Sequence, residues 1–480
     1  MAVKTENLNL TGKRVLVMGL GLHDGGLGVT KFLVAQGADV TVTDLRSHDV
    51  LAPSLQALNG LPVRLVLGEH RDEDFREAEI VIKNPAVRRD SRYLQIAREA
   101  GASIEMEFTL FFKLCPSPFV FGITGTRGKT TTTLMLGAML KAWRPDTVIA
   151  GNLRSSALTK LPEIGPDTPI VLELSSWQLE GLGEQRISPA YAAVTNLSPD
   201  HMDRYRDLDD YAAAKQNICR WQRPGDIVVL NVNDPIVSGF SGVAGGSVGW
   251  FGDTVLPPGE FGTYLSEDDE IVWQDATGYE ETIGPASLLK LRGRHNLLNA
   301  LAATALARVA GVPNEIIANT LANFQGVADR LELVRELAGV RYYNDTTSTS
   351  PAGTVVALQA FEGEALVTGQ PKIILIAGGA DKQLDFAPMA QAIANPALGV
   401  KSVILLKGSA TPRLTEAIQP LGFNRLSEPY SDFAAAIKAA HEVATTGDIV
   451  LLSPGAASFG MFTHEFDRGQ QFREIVGKLC

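Results

Sequence analysis

Cysteine is scarce. The three residues, Cys115, Cys219 and Cys480, are scattered. They have no metal-type spacing and no basis for a disulfide framework. Long apolar runs are also missing: no stretch of about 18 apolar residues occurs, so no membrane-spanning helix is expected. The opening segment MAVKTENLNLTGKRV is polar and lacks an apolar signal core, and cytoplasmic residence is expected. Basic charge is not in excess. A net charge of −11 argues against a general nucleic-acid binder. It leaves room for an anionic substrate in a local basic pocket. Low-complexity segments and sequence repeats are absent.

What is present is a globular composition, 45% hydrophobic and 20% charged, in 480 residues. That length predicts two to four domains. The most informative stretch is Phe121–Thr133, FGITGTRGKTTTT. The apolar run before it reads as a strand, and TTTTLMLGAMLKAW after it reads as a helix. Gly122, Gly125 and Gly128 allow a turn whose N–H groups face inward, and the helix N-terminus adds partial positive charge there. This is a phosphate loop, in which Lys129 would reach the β/γ-phosphates and the Thr130 hydroxyl would hold Mg²⁺.

Three parts are predicted, over residues 1–116, 117–327 and 328–480. In the first, KRVLVM, the turn GLGLHDGGLG, a helical stretch and ADVTVTD form a βαβ unit ending in Asp44. Taken alone it is compatible with a Rossmann-type dinucleotide site. LCPSP marks the first linker and GVADRL the second. The middle part alternates strands (TPIVLELSS, AYAAVTNLS, DIVVLNVND) with helices, which predicts a mostly parallel sheet covered on both faces. Residues 243–284 read as a small antiparallel insertion. The last part is another α/β unit. The fold class expected is therefore α/β, with three domains: Rossmann-like, P-loop ATPase-type and Rossmann-like.

Within the middle part, Glu173 ends an apolar strand, the position from which a carboxylate can hold a nucleotide's Mg²⁺. His201 follows another strand in TNLSPDHMDRY. Lys215 lies in the helix YAAAKQNICRW, where a lysine is ordinarily solvated.

GITGTRGKTTTT, ELSSWQLE, TNLSPDHMDRY, YAAAKQN, GRHNLLNALAA, DRLE, YNDTTSTSP and SPGAAS occur in that order. In this the chain resembles the Mur ligase family of peptidoglycan synthesis, over nearly its whole length. The resemblance is greatest to the branch that adds D-glutamate to UDP-N-acetylmuramoyl-L-alanine. It implies a domain for the UDP end, a central ATPase domain and a C-terminal domain for the amino acid. It also implies a reaction in which ATP converts the acceptor carboxylate to an acyl phosphate, which the glutamate amine then attacks. The UDP reading displaces the dinucleotide reading of the first turn. The implied partners are small molecules (the UDP acceptor, glutamate and ATP), with no nucleic acid and no membrane, and a monomer is expected.

Residue by residue, the resemblance implies that Gly125, Gly128, Lys129, Thr130 and Thr131 serve the ATP phosphates. It assigns two Mg²⁺ ions to Thr130, Glu173, His201 and Lys215, with Lys215 carrying CO₂ as a carbamate. Asn296 would contact adenine, Arg330 the phosphates and Asp345 the ribose. Leu22, His23, Asp44 and Arg46 would line the uracil pocket, and Asn152 would lie near the muramoyl group. Thr349, Lys382, Ser458 and Phe466 would serve the amino acid. Phe466 stands one position off the family phenylalanine, with Glu465 in register. Thr347 stands where the family's D-glutamate ligases carry a lysine. A sister ligase adding L-glutamate or another amino acid to the same acceptor therefore stays open. So does a P-loop regulator without amide chemistry.

Overall fold

The computed structural model describes residues 9–21, 24–152, 156–202, 204–363 and 369–479. Leu22 and His23 lie outside the described residues. The described strands form three sheets. The chain divides into two compact units, residues 1–289 with 297–323, and residues 290–296 with 324–480.

The first unit holds two sheets. The first contains β1 (Arg14–Met18), β2 (Asp39–Asp44), β3 (Val63–Leu67), β4 (Ile80–Lys83) and β5 (Ser103–Glu105), in the order β3-β2-β1-β4-β5. All its pairings are parallel. The chain reverses its winding between β1 and β4, so the carboxyl ends of those strands flank a crevice, the usual ligand position in such sheets.

The second sheet contains β6 (Val120–Thr124), β7 (Val148–Gly151), β8 (Ile170–Glu173), β9 (Tyr191–Val194), β10 (Ile227–Asn231), β11 (Ser247–Gly252), β12 (Gly262–Leu265), β13 (Glu270–Gln274) and β14 (Glu280–Pro285). Its order is β14-β13-β12-β11-β10-β9-β6-β8-β7. β6 is buried along its whole length between β8 and β9. This central position fixes the loop that follows it. Residues 243–284 are not the separate antiparallel insertion the sequence predicts. β11 pairs parallel with β10 and β12 pairs parallel with β11. Only β12–β13 and β13–β14 are antiparallel, so the segment extends the central sheet.

One apolar cluster runs from Val15 and Val17 of the first sheet through Phe108 and Phe111 to Leu172 and Val228 of the second. The helix Glu107–Leu114 supplies the bridge, since five of its residues are buried. The LCPSP segment is likewise packed: Cys115 and Ser117 are buried, and the Ser117 hydroxyl donates to Thr168 O at 2.7 Å.

In the second unit, β15 (Glu332–Leu337), β16 (Val340–Asn344), β17 (Ile373–Gly378), β18 (Val400–Leu406) and β19 (Ile449–Leu452) are ordered β15-β16-β19-β17-β18. β15 is antiparallel to β16, and the other pairs are parallel.

Candidate active site

The phosphate loop leaves β6 at Thr124 and enters the helix Lys129–Trp143. Two glycines are required by its shape. Gly125 has φ +150°, and a Cβ there would fall 1.9 Å from Thr195 Oγ1. Gly128 has φ +80°, and a Cβ there would fall 2.2 Å from Asn299 Oδ1. Gly122 is different. It lies inside β6, where a Cβ would meet Pro189 at 2.5 Å, so it serves packing and not the turn.

Not every loop amide faces inward. Thr126 N donates to Asn196 O and Arg127 N to Asn196 Oδ1, each at 2.9 Å. Asn196, Thr195 and Asn299 thus support the loop from outside it, and the sequence reading assigned none of them a role. The first turn of the helix Lys129–Trp143 follows directly, and a helix N-terminus is a place suited to an anion.

Glu173 ends β8 and is 2% exposed. Its Oε2 accepts from the Thr130 hydroxyl at 2.7 Å and its Oε1 from Asn152 Nδ2 at 3.0 Å. The next helix, Ser176–Glu184, is fixed by a capping box. Ser175 Oγ accepts from Gln178 N at 3.3 Å, and Gln178 Oε1 accepts from Ser175 N at 2.8 Å.

Lys129 turns back on its own loop, donating to Gly125 O at 3.0 Å and Thr126 O at 2.9 Å. Lys215 is 1% exposed and donates to the same Gly125 O at 2.8 Å. Two amines therefore share one carbonyl oxygen. Burial first, and the Lys129 charge second, hold the Lys215 amine well below the usual lysine range, against Asp200 and Glu173. Lys215 is thus a buried amine whose surroundings disfavour the charged form, not the solvated lysine its helical context suggests.

A cavity of 510 Å³ opens at the crevice of the first sheet. Gly19, Gly21, Arg46 and Asn84 line it from the first sheet, and Asn152, Ser175, Trp177 and His201 from the second. Asp44 is 7% exposed and holds the backbone of two lining residues, accepting from Gly21 N at 3.2 Å and Arg46 N at 2.9 Å. His201 has φ +55°, and its ring lies 5.2 Å from that of Trp177. Asn152 joins this cavity to Glu173.

Glu173 and Thr130 offer hard oxygen donors beside the phosphate loop. Among the described residues there is no group of three or more His, Cys, Asp or Glu able to hold a metal. One carboxylate, one hydroxyl and a nucleotide's own oxygens form the kind of set that suits Mg²⁺. These residues fit that ion.

In the second unit, Asp345 ends its strand's extension. Its Oδ2 accepts from Ser453 Oγ at 2.8 Å and its Oδ1 from Leu331 N at 3.2 Å. Burial pushes its carboxyl up to about 6, against the opposing hydrogen bonds. Arg330, beside it, is exposed. Lys382 donates to Thr349 Oγ1 at 3.0 Å. Ser458 is buried next to Ala457, whose N donates to Ala380 O at 3.1 Å. Asn296 Nδ2 donates to Arg292 O at 2.8 Å. Phe466 lies in the first turn of the helix Glu465–Gly477, its ring 6.1 Å from that of His464.

A phosphate loop, a strand-end carboxylate on its threonine and a buried amine at its carbonyl define a nucleotide-dependent enzyme. Three family models match in succession. They are the Mur ligase MurD-like N-terminal domain over residues 13–105, the Mur ligase middle domain over 123–307, and the Mur ligase glutamate ligase domain over 329–455. UDP-N-acetylmuramoylalanine–D-glutamate ligase of Roseiflexus sp. (strain RS-1) is 53% identical, covering 98% of this chain and 99% of that one. The enzyme of the same name from Acetivibrio thermocellus is 35% identical over 98% of this chain and 97% of its own. Among solved structures, UDP-N-acetylmuramate-alanine ligase of Thermotoga maritima matches with a TM-score of 0.60 at 22% identity. That match covers 96% of this chain and 99% of the other, and it shows a common fold. The chain belongs to the Mur ligase family. It is an ATP-dependent ligase of peptidoglycan precursor synthesis. No helix among the described residues is long and apolar enough to cross a membrane.

Proposed function

We propose that this ligase joins D-glutamate to UDP-N-acetylmuramoyl-L-alanine. The observation that carries the proposal is the 53% identity to a ligase of that name over nearly the full length of both chains. The acceptor's terminal carboxylate attacks the γ-phosphorus of ATP, the bond to ADP breaks, and an acyl phosphate results. The uncharged glutamate amine attacks that carbonyl, the C–O bond to the phosphate group breaks, and phosphate leaves as the nitrogen gives up a proton and the amide forms.

The chain's residues serve these steps as follows. The phosphate-loop amides, Lys129 and Thr131 bind the triphosphate, with Lys129 released from the loop carbonyls it now occupies. Glu173 and Thr130 would hold a first Mg²⁺, and His201 with Lys215 a second. When bound, these ions offset the repulsion between carboxylate and triphosphate. The Lys215 amine, in its uncharged form, can add CO₂, forming a carbamate anion and releasing a proton. Its remaining N–H can keep the bond to Gly125 O. Asp44, Arg46 and Asn152 bind the UDP acceptor. Asn296, Arg330 and Asp345 are assigned to the nucleotide, and Thr349, Lys382, Ser458 and Phe466 to the amino acid. The enzyme would act in the cytoplasm as a monomer.

A second reading, addition of L-glutamate or another amino acid, is favoured by Thr347, which puts a hydroxyl where the family's D-glutamate ligases carry a cation. Phosphate release with ATP, Mg²⁺ and the acceptor, compared for D-glutamate, L-glutamate and no amino acid, separates the two. Stimulation by D-glutamate alone is expected. Stimulation by L-glutamate alone would overturn the assignment.

A further inference from the structure

The cavity has a side chain at its back to which neither sequence nor family gave a role. Arg204 is three residues beyond His201, and its side chain is 12% exposed. Its Nη1 donates to Pro85 O at 3.1 Å and to Ala86 O at 3.3 Å. Its Nη2 donates to Glu180 Oε2 at 2.9 Å. The guanidinium carbon lies 4.6 Å from the centre of the Trp177 ring. Arg204 N and Tyr205 N both close on His201 O, at 2.9 and 3.1 Å. Pro85, Ala86, Trp177 and His201 all line the cavity. The guanidinium therefore ties a loop of the first sheet to a helix of the second, while the backbone of the same residue is bonded to His201.

From this geometry we propose that Arg204, paired with Glu180, is a positioning residue for the UDP acceptor. It fixes the cavity wall at Pro85–Ala86 relative to His201 and Trp177, and so sets where the acceptor's carboxylate end arrives. The proposal rests on the acceptor binding in this cavity, as the proposed function requires. Lysine is a poor replacement. A single ammonium can pair with Glu180 but cannot present the planar fork that also reaches two carbonyls. Glu180 is 4% exposed, and its other cation, Arg89, is 3.9 Å away and half exposed. Loss of Arg204 alone would thus strand a buried carboxylate. A variant with both charges removed is needed to separate positioning from folding.

The test compares wild type, Arg204→Ala, Arg204→Lys and the double variant Glu180→Gln with Arg204→Met. Steady-state kinetics and calorimetric titration with UDP-N-acetylmuramoyl-L-alanine are measured, with melting temperatures alongside. The expected result is an acceptor KM and Kd raised at least about ten-fold in Arg204→Ala and in the double variant. The KM for ATP should stay within about two-fold, with Arg204→Lys intermediate. A purely structural role would lower the melting temperature without splitting acceptor from ATP. A folded double variant with wild-type acceptor KM and Kd would overturn the proposal while leaving the ligase function standing. If Arg204→Ala and the double variant do not fold, Arg204→Lys decides by the same split. A wild type that shows no turnover with this acceptor would instead overturn the function, and the positioning role with it.

Discussion

Glu173→Gln separates the chemistry of the site from its architecture. In the wild type, each carboxylate oxygen receives one donor: the Thr130 hydroxyl at 2.7 Å and Asn152 Nδ2 at 3.0 Å. Glutamine keeps the shape and one acceptor oxygen. If that oxygen faces Asn152, the new NH₂ faces Thr130, whose hydroxyl can turn from donor to acceptor. Neither neighbour need lose its partner, so the fold should change by less than about 1 kcal/mol, the scale of one rearranged hydrogen bond. The charge cannot be recovered in this way. A unit charge about 4 Å from another is worth ~4 kcal/mol at an effective permittivity near 20. At about 1.4 kcal/mol per decade, that is nearly three decades in rate. Phosphate release should therefore fall by about 10²–10³, the usual scale for one preorganised electrostatic contact. The Mg²⁺ concentration for half-maximal rate should rise about ten-fold or more, while the melting temperature barely moves. Turnover within two-fold of wild type at an unchanged Mg²⁺ requirement would refute the reasoning.

Lys215→Ala should be severely impaired and partly rescued by a short carboxylic acid that occupies the space of the carbamate. Activity without the acid, in bicarbonate-free buffer, would count against that modification. Asp345 supplies a pH dependence. Its folded carboxyl titrates at about 6, above the ordinary 3.8, so the folded protein binds this proton more tightly than the unfolded chain does. The contribution of this group to stability is therefore greatest below the unfolded value and is lost as the pH rises through about 6. Under the proposed assignment of Asp345 to the ribose, function runs the other way, because the anion is the stronger acceptor for a hydroxyl. The KM for ATP should rise as the pH falls below about 6, and Asp345→Asn should show a raised KM without that pH dependence. Asp44→Ala should raise the KM for the UDP acceptor more than it lowers kcat, because the role proposed for it is at the non-reacting end. Equal losses in both would argue that Asp44 organises the whole site.

The parts of the site carried by local pattern were legible. The phosphate loop combines strand, glycines, Lys-Thr and helix within Phe121–Thr133, and the structure builds that succession. Glu173 could be read from its place at the end of an apolar run. The supports of the loop could not, because Thr195, Asn196 and Asn299 meet it across about 70 to 170 positions of chain and no local periodicity encodes such contacts. The burial of Lys215 was legible but not used: it shares a helix face with Tyr211, Ile218 and Cys219, all buried. The expectation of a solvated lysine followed the residue type and not the helix face, and the contacts with Gly125 and Tyr211 show the amine under cover. Gly122 was assigned to the turn because glycine marks both bends and close packing, and only the contact with Pro189 tells them apart. The extension of the central sheet was missed because short alternating strands rich in Gly and Asp read alike whether they stand alone or join an edge.

Thr347 can be taken further than the sequence allowed. Its hydroxyl donates to Asp329 O at 2.9 Å, and Asp329 Oδ1 is held by Arg473 at 2.8 Å. The preceding residue is fixed by Arg468, which is fully buried and donates to both Thr346 Oγ1 and Thr346 O at 2.9 Å. Burial lowers the Arg468 guanidinium only to about 10, so it stays charged at neutral pH. Two arginines from the helix Glu465–Gly477 thus shape the loop after β16 without a cation at 347. A lysine there would add charge to a loop whose conformation is already determined. The loop is therefore ordered without that lysine. Thr347→Lys, assayed with D- and with L-glutamate, is accordingly the test of charge at this one position in an intact loop.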